Sequence, residues 1–471
     1  MKKVLITLTV LVVLACSLIV TAAAADYEHI ADDLKELGLF KGSDSGYELD
    51  RAPNRGEGLV MLIRLLGLEE DALGFGAGSP FSDVPGWLAP YVSFAYSNGL
   101  AKGVSDTEFN PGGLCDARMF TTFVLRALGY SDENGGQFTY AGAIDFGKRI
   151  GIISDELAAE AFLRDHMIAV SYLALMAAPE GGSHASLLAK LAESGAVAQS
   201  SAAAMAGRWA AMGDLNSVFT ALLEDASFAA GLTVSTDMGT MGAILAGMGM
   251  NLNIGVDADM SLQLGEDNRA AIHIASSIMG NDSEVNLYLS DGSIYIQNGE
   301  EKSRIDFVAV EGAASGMFDV NAIIDRLLGS DFTLSPFYFR DLSKGSEGDL
   351  SVFSIKLPDA MLDSAMGMLS GLSGVLNIGN LIPGDFDLSS LDLSFGIASI
   401  KIFVDADGAL NSAAITVEVT FKPNMGALSL PITVKLNIGL EVTAVGADVT
   451  VDLPDDLDSY SLRYFDNIPL G

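Results

Sequence analysis

The pentad Gly38-Leu39-Phe40-Lys41-Gly42 recurs as Gly99-Leu100-Ala101-Lys102-Gly103 and, in a worn copy, as Gly151-Ile152-Ile153-Ser154-Asp155. Self-similarity of this kind constrains a fold strongly, because copies of one supersecondary unit bury their apolar faces on one another. Each copy follows one helix-like stretch and precedes another. After the middle copy, Phe120, Phe123, Val124 and Ala127 fall at i, i+3, i+4 and i+7 and make one apolar helix face. Each unit therefore reads as helix, glycine loop, helix.

The middle unit contains Phe81-Ser82-Asp83-Val84, then Trp87 in a helix-like run, the glycine loop, and Phe109-Asn110-Pro111. On these residues the units resemble S-layer homology repeats, in the divergent three-repeat form of clostridia-like surface proteins. The family pattern continues with a Thr-Arg-Ala-Glu tetrad that opens the second helix. The first repeat, about 26–68, supplies Asn54-Arg55-Gly56-Glu57, and the third, about 138–176, supplies Leu163-Arg164-Asp165-His166. In the middle repeat, 81–130, the aligned residues Asp116-Ala117-Arg118-Met119 lack both the arginine and the glutamate in register. The resemblance implies an all-α three-repeat pseudo-trimer whose grooves bind an anionic, often pyruvylated, secondary cell-wall polysaccharide. It also implies a secreted protein held at the cell wall and cell surface, with unequal grooves.

Before any ligand is considered, the tetrad has a local role. Asn54 and Asp116 stand where helix N-caps belong, and Glu57 completes a capping box with Asn54. Arg55 and Arg164 are less easily explained, since a cation at a helix N-terminus opposes the local dipole and calls for a carboxylate nearby. The expected wall-binding set is Arg55, Glu57, Arg164, Trp87, Lys41 and Lys102. Arginine's planar fork suits a ketal-linked carboxylate. Trp87 suits either a sugar face or core packing, and the two loop lysines suit either the grooves or plain solvation.

Lys2 and Lys3 precede an apolar run from Val4 to Val20 and small residues at Ala22 to Ala25, the pattern of a cleaved signal peptide over 1–25 with no retained transmembrane helix. Cys16 as an acylation site is the weaker reading. With Cys16 removed, Cys115 has no partner for an intramolecular disulfide. A formal charge of −35, from 61 acidic and 26 basic residues, reads as an acidic solvated surface and disfavours nucleic acid and anionic lipid as large-area partners. An anionic ligand must be met in a local basic pocket.

Residues 179–213 are rich in Ala, Gly and Ser and read as a connector with a short helix at 184–191. From 214 to 471 the apolar period becomes two, as in Leu252 to Leu264 and Ile432 to Ala444. Shorter runs lie at Ile272/Ile274, Val285 to Leu289, Ile294/Ile296, Ile400 to Val404 and Ile415 to Phe421, with Asp291-Gly292 and Asp407-Gly408 as hairpin turns. Roughly seven to ten antiparallel strands are expected. Helices are expected after Asp319 and Asp359. The fold class is thus multidomain, all-α repeats followed by an α+β domain with a long-stranded antiparallel sheet. That domain is similar in pattern to the half-barrel of lipoprotein-carrier and related envelope proteins, which implies a lipid or other apolar ligand. Met238, Met241, Met248, Met250, Met361, Met366 and Met368 suit either core or an adaptable lining.

No catalytic or metal-binding constellation is present in the sequence. His29, His166, His184 and His273 are scattered, and the loop opening Asp405-Ala406-Asp407-Gly408 has Thr416 where a calcium loop needs glutamate. The expected function is a non-enzymatic, cofactor-free wall-anchored surface protein. The alternatives are a structural surface-layer component and an outer-membrane barrel.

Overall fold

The computed structural model describes residues 27–43, 45–133, 135–158, 161–224, 227–239, 242, 247, 254–263, 269–278, 281–306, 337, 341–356, 392–422 and 432–462. The expected signal peptide, both helices expected after Asp319 and Asp359, and six of the seven methionines lie outside them; Met238 is described and buried. The chain forms two compact units, Ala25–Gly207 and the chain from Arg208 onward. Among the described residues no helix is long and apolar enough to cross a membrane.

The first unit is helical: α1 (Tyr27–Glu36), α2 (Arg55–Leu65), α3 (Glu69–Leu73), α4 (Ala89–Ser97), α5 (Ala117–Ala127), α6 (Ala143–Arg149), α7 (Arg164–Met176) and α8 (Leu187–Ser194). The recurring glycine stops the first helix of each repeat. Gly38, Gly99 and Gly151 have φ of 76°, 69° and 78°, a left-handed conformation that costs glycine least. The residue after each glycine donates its N–H back into the helix, Leu39 to Leu34 O, Leu100 to Ala95 O and Ile152 to Gly147 O.

The three second helices, α2, α5 and α7, touch one another pairwise. Each is flanked by a first helix from another repeat, α4 on α2, α6 on α5 and α1 on α7. On these helices Leu59, Leu62 and Ile63 of α2, Phe120, Phe123 and Val124 of α5, and Ile168 and Leu175 of α7 are buried. Side chains of this size stabilise by about 1.5–3 kcal/mol each when fully buried.

Ser186 caps α8 by accepting the Ala189 N–H, and α9 (Gln199–Glu224) then runs through Asp214, where the sequence suggests a boundary. The second unit is a sheet of twelve strands among the described residues. They are β1 (Ser227–Asp237), β2 (Ile254–Gln263), β3 (Arg269–Ile278), β4 (Asn281–Ser290), β5 (Ser293–Asn298), β6 (Glu301–Asp306), β7 (Asp341–Glu347), β8 (Leu350–Lys356), β9 (Asp392–Val404), β10 (Leu410–Lys422), β11 (Ile432–Val445) and β12 (Ser461–Leu462). Their order is β12-β6-β5-β4-β3-β2-β1-β11-β10-β9-β8-β7, antiparallel throughout except β12 against β6.

Within the described residues, every expected apolar run falls on a strand. The strands without such a signal are β1, diluted by Gly and Ala, the polar β6 and β7, the irregular β8 and the two-residue β12. Asp291 and Gly292 take φ of 52° and 67°, both positive as a type I′ hairpin turn requires. The Asp405 carboxylate accepts the N–H groups of Asp407 and Ala409, so this loop is held as a hairpin turn. One sheet face is apolar. Ala211, Met212, Leu215 and Val218 of α9 pack there with Leu342, Phe353, Ile355, Ile400 and Ile402. Leu232, Val256, Ala258 and Ile274 form a second cluster, while Asp257 and Asp259 point to solvent from the opposite face of β2.

Candidate functional site

The tetrads form helix starts of two kinds. At α2 the capping box is complete: Asn54 Oδ1 accepts the Glu57 N–H at 2.9 Å, and Glu57 Oε2 accepts the Asn54 N–H at 2.8 Å. At α7 half of it remains, with His166 Nδ1 accepting the Leu163 N–H at 3.2 Å. Asp116 caps α5 through the Met119 N–H. The next N–H groups go to a neighbouring repeat. Arg55 and Gly56 donate to Gly113 O and Pro111 O, and Arg164 and Asp165 donate to Arg51 O and Leu49 O, at 2.8–3.1 Å. The starts of α2 and α7 are already satisfied, so an anion arriving at either must be held by side chains.

Side chains for that purpose converge between the starts of α2 and α7. A groove of about 200 Å³ is lined by Lys41, Arg51, Arg64 and Arg164, with Glu48, Glu57 and Trp87. Trp87 is 63% exposed, so it is not a core residue. Arg51 grips Glu57 with both terminal nitrogens, Nη1 to Oε2 at 3.0 Å and Nη2 to Oε1 at 2.6 Å, and its Nε donates to Glu48 Oε1 at 3.2 Å. Arg164 is nearly buried, its Nε donating to Tyr47 O at 3.1 Å and its Nη1 lying 3.8 Å from Glu57 Oε1. Behind the groove Glu69 collects Arg64 Nε at 2.8 Å, Tyr91 Oη at 3.0 Å and the Lys41 ammonium. Burial alone would raise the Glu69 carboxyl; the hydrogen bonds from Lys41, Arg64 and Tyr91 outweigh it and hold the group at about 2. The hydrogen bonds that Arg51 donates to Glu57 and Glu48 keep its guanidinium above its ordinary value, fully charged.

Of the six residues expected from sequence, Lys41, Glu57, Trp87 and Arg164 line this groove, and Arg55 and Lys102 do not. Arg55 is 7% exposed. Its guanidinium sits 4.6 Å from the Phe109 ring centre and 5.3 Å from that of Phe123, while Nη2 donates to Lys102 O at 2.5 Å. Its buried Nε meets no acceptor among the described residues, and burial lowers its pKa. The Lys102 ammonium pairs with Asp132 at 3.2 Å and Glu133 at 2.6 Å. The groove residues that sequence reasoning passed over are Arg51, Arg64 and Glu48. Comparing repeats hides Arg51, because the aligned positions are Gly113 and Glu160.

Residues 80–116 match the S-layer homology domain family. The chain is 32% identical over 115 residues to the middle cell wall protein of Brevibacillus brevis, a match covering 24% of this chain and 11% of that protein. It is 32% identical over 127 residues to a cell surface protein of Thermoanaerobacter kivui, covering 26% and 17%. It is 30% identical over 115 residues to the surface layer protein of Brevibacillus choshinensis, covering 24% and 10%. The matched stretch is thus between a tenth and about a sixth of the length of these relatives.

Proposed function

We propose that this chain, which carries an S-layer homology domain, is a cell-surface protein whose helical unit holds it non-covalently to the bacterial cell wall by binding an anionic wall polysaccharide. The observation that carries this reading is the composition of one groove. In a chain of formal charge −35, four cations line it against two carboxylates, beside an exposed tryptophan. Guanidinium forks and an open indole are the groups that recognise carboxylated sugars. The pairwise contact of α2, α5 and α7 supports a three-repeat pseudo-trimer as the scaffold.

The β-rich unit is the displayed part in this reading. Its one-sided apolar face supports a half-barrel-like sheet that takes a lipid or other apolar ligand, and mass spectrometry of the purified chain tests for one. No catalytic role is assigned to either unit. For the anchor, the full chain should sediment with purified cell-wall sacculi and stay in solution with sacculi stripped of their anionic polysaccharide. Deleting residues 25–207 should abolish sedimentation, and its retention would refute the anchor.

A further inference from the structure

We infer that Glu48 is a built-in competitor for the groove, occupying the edge of Arg51 that an incoming carboxylate takes. The inference rests on the groove being the wall-binding site. A carboxylate binds arginine best across two parallel N–H groups, and Arg51 offers two such edges. The Nη1/Nη2 edge holds Glu57, which is fixed because its Oε2 also accepts the Asn54 N–H in the helix cap. The Nε/Nη2 edge holds Glu48, at 3.2 and 3.4 Å. Glu48 lies on a loop with its side chain 31% exposed, so it is the carboxylate that can leave.

The backbone at Glu48 points the same way. Its φ is 51°, and the other non-glycine residues with positive φ among those described are Asn110 and Asp291, types that tolerate this conformation. Glutamate has no such excuse, and strain of this kind gathers at ligand-binding positions. The loop that places Glu48 on Arg51 also gives its Leu49 and Arg51 carbonyls to the start of α7, which fixes the turn. Ligand entry therefore exchanges one carboxylate for another on the same guanidinium, leaving Glu57 and the helix cap intact.

The test uses the full chain, purified sacculi and a pyruvyl ketal of methyl glucoside as a small carboxylate probe. Glu48→Gln and Glu48→Gly should each bind the ketal about two- to fivefold more tightly, the range an exposed ion pair carries. Arg51→Gln should bind more weakly, and adding Glu48→Gln to it should give no gain, the coupling expected of two groups that act on each other. Equal or weaker binding by the Glu48 variants, with melting temperatures unchanged, overturns the competitor role. So does a gain that persists in the Arg51→Gln background, since that reports only the general loss of negative charge. Wild-type chain that binds neither sacculi nor ketal removes the wall-binding reading and the competitor with it. Wild-type binding with unresponsive Glu48 variants removes the competitor alone.

Discussion

Arg55 and Arg164 hold the same place, the first residue after the N-cap, and meet different surroundings. Arg164 reaches the groove beside Glu57, whereas Arg55 is enclosed by two aromatic rings and a carbonyl. A desolvated cation–π contact contributes about 2 kcal/mol and a buried carbonyl left unpaired costs about 1–3 kcal/mol. Arg55→Ala should therefore destabilise the helical unit by about 2–4 kcal/mol, read by denaturant melts, while the folded fraction binds sacculi as wild type does. Arg51→Ala should do the reverse, weakening sacculus binding with little change in stability. Equal loss of binding in both variants would show that Arg55 reaches the ligand. The tetrad arginines were legible from the repeat alignment, but which of them faces solvent was not. That depends on Phe109 and Phe123, residues far from Arg55 in the chain. Arg51 carried no repeat signal at all.

Among the elements, α2 and α5 come close through a glycine. A Cβ on Gly58 would lie 2.7 Å from Cys115 Sγ and 3.6 Å from Phe120. Alanine in a helix interior gains about 1 kcal/mol over glycine, while overpacking a core costs about 1–3 kcal/mol. Gly58→Ala should therefore be destabilising in the wild-type chain and stabilising once Cys115→Ala has made room. Urea titrations of the two single variants and the double variant read this directly, and a Gly58→Ala effect independent of residue 115 would contradict the packing. Burial also pushes the Cys115 thiol up to about 12, in keeping with a thiol used as a small apolar filler. The sheet was legible where period two is strong, in β2, β10 and β11, and silent in β6 and β7. Strands of little apolar content, such as β7 at the sheet edge, carry no alternation to detect.

For the helical unit as a whole, acid should be the sensitive direction. Glu69 is held at about 2, below its ordinary 4.5, by cation and hydroxyl hydrogen bonds that outweigh its burial. Asp132 is held at about 2 mainly by its hydrogen bond from Arg126. A carboxyl whose folded pKa is depressed contributes stability that is present above the unfolded pKa and lost as pH falls through the folded one. The melting temperature should thus drop between about pH 4.5 and 2, and Glu69→Gln should flatten part of that slope. A slope the variant leaves unchanged would show that other groups carry it.

The sequence by itself determined the kinds of structure present, because helix and strand periods, glycine stops and N-caps act between residues a few positions apart. It also set the acidic balance that confines any anion to a local pocket. Only the tertiary structure decided which cations share a groove. Lys41, Arg51, Trp87 and Arg164 belong to three repeats, and packing brings them together while it turns Arg55 inward. A charge within a repeated motif is free to become a ligand contact or a structural pin, and the groups that close around it from elsewhere in the chain make the choice.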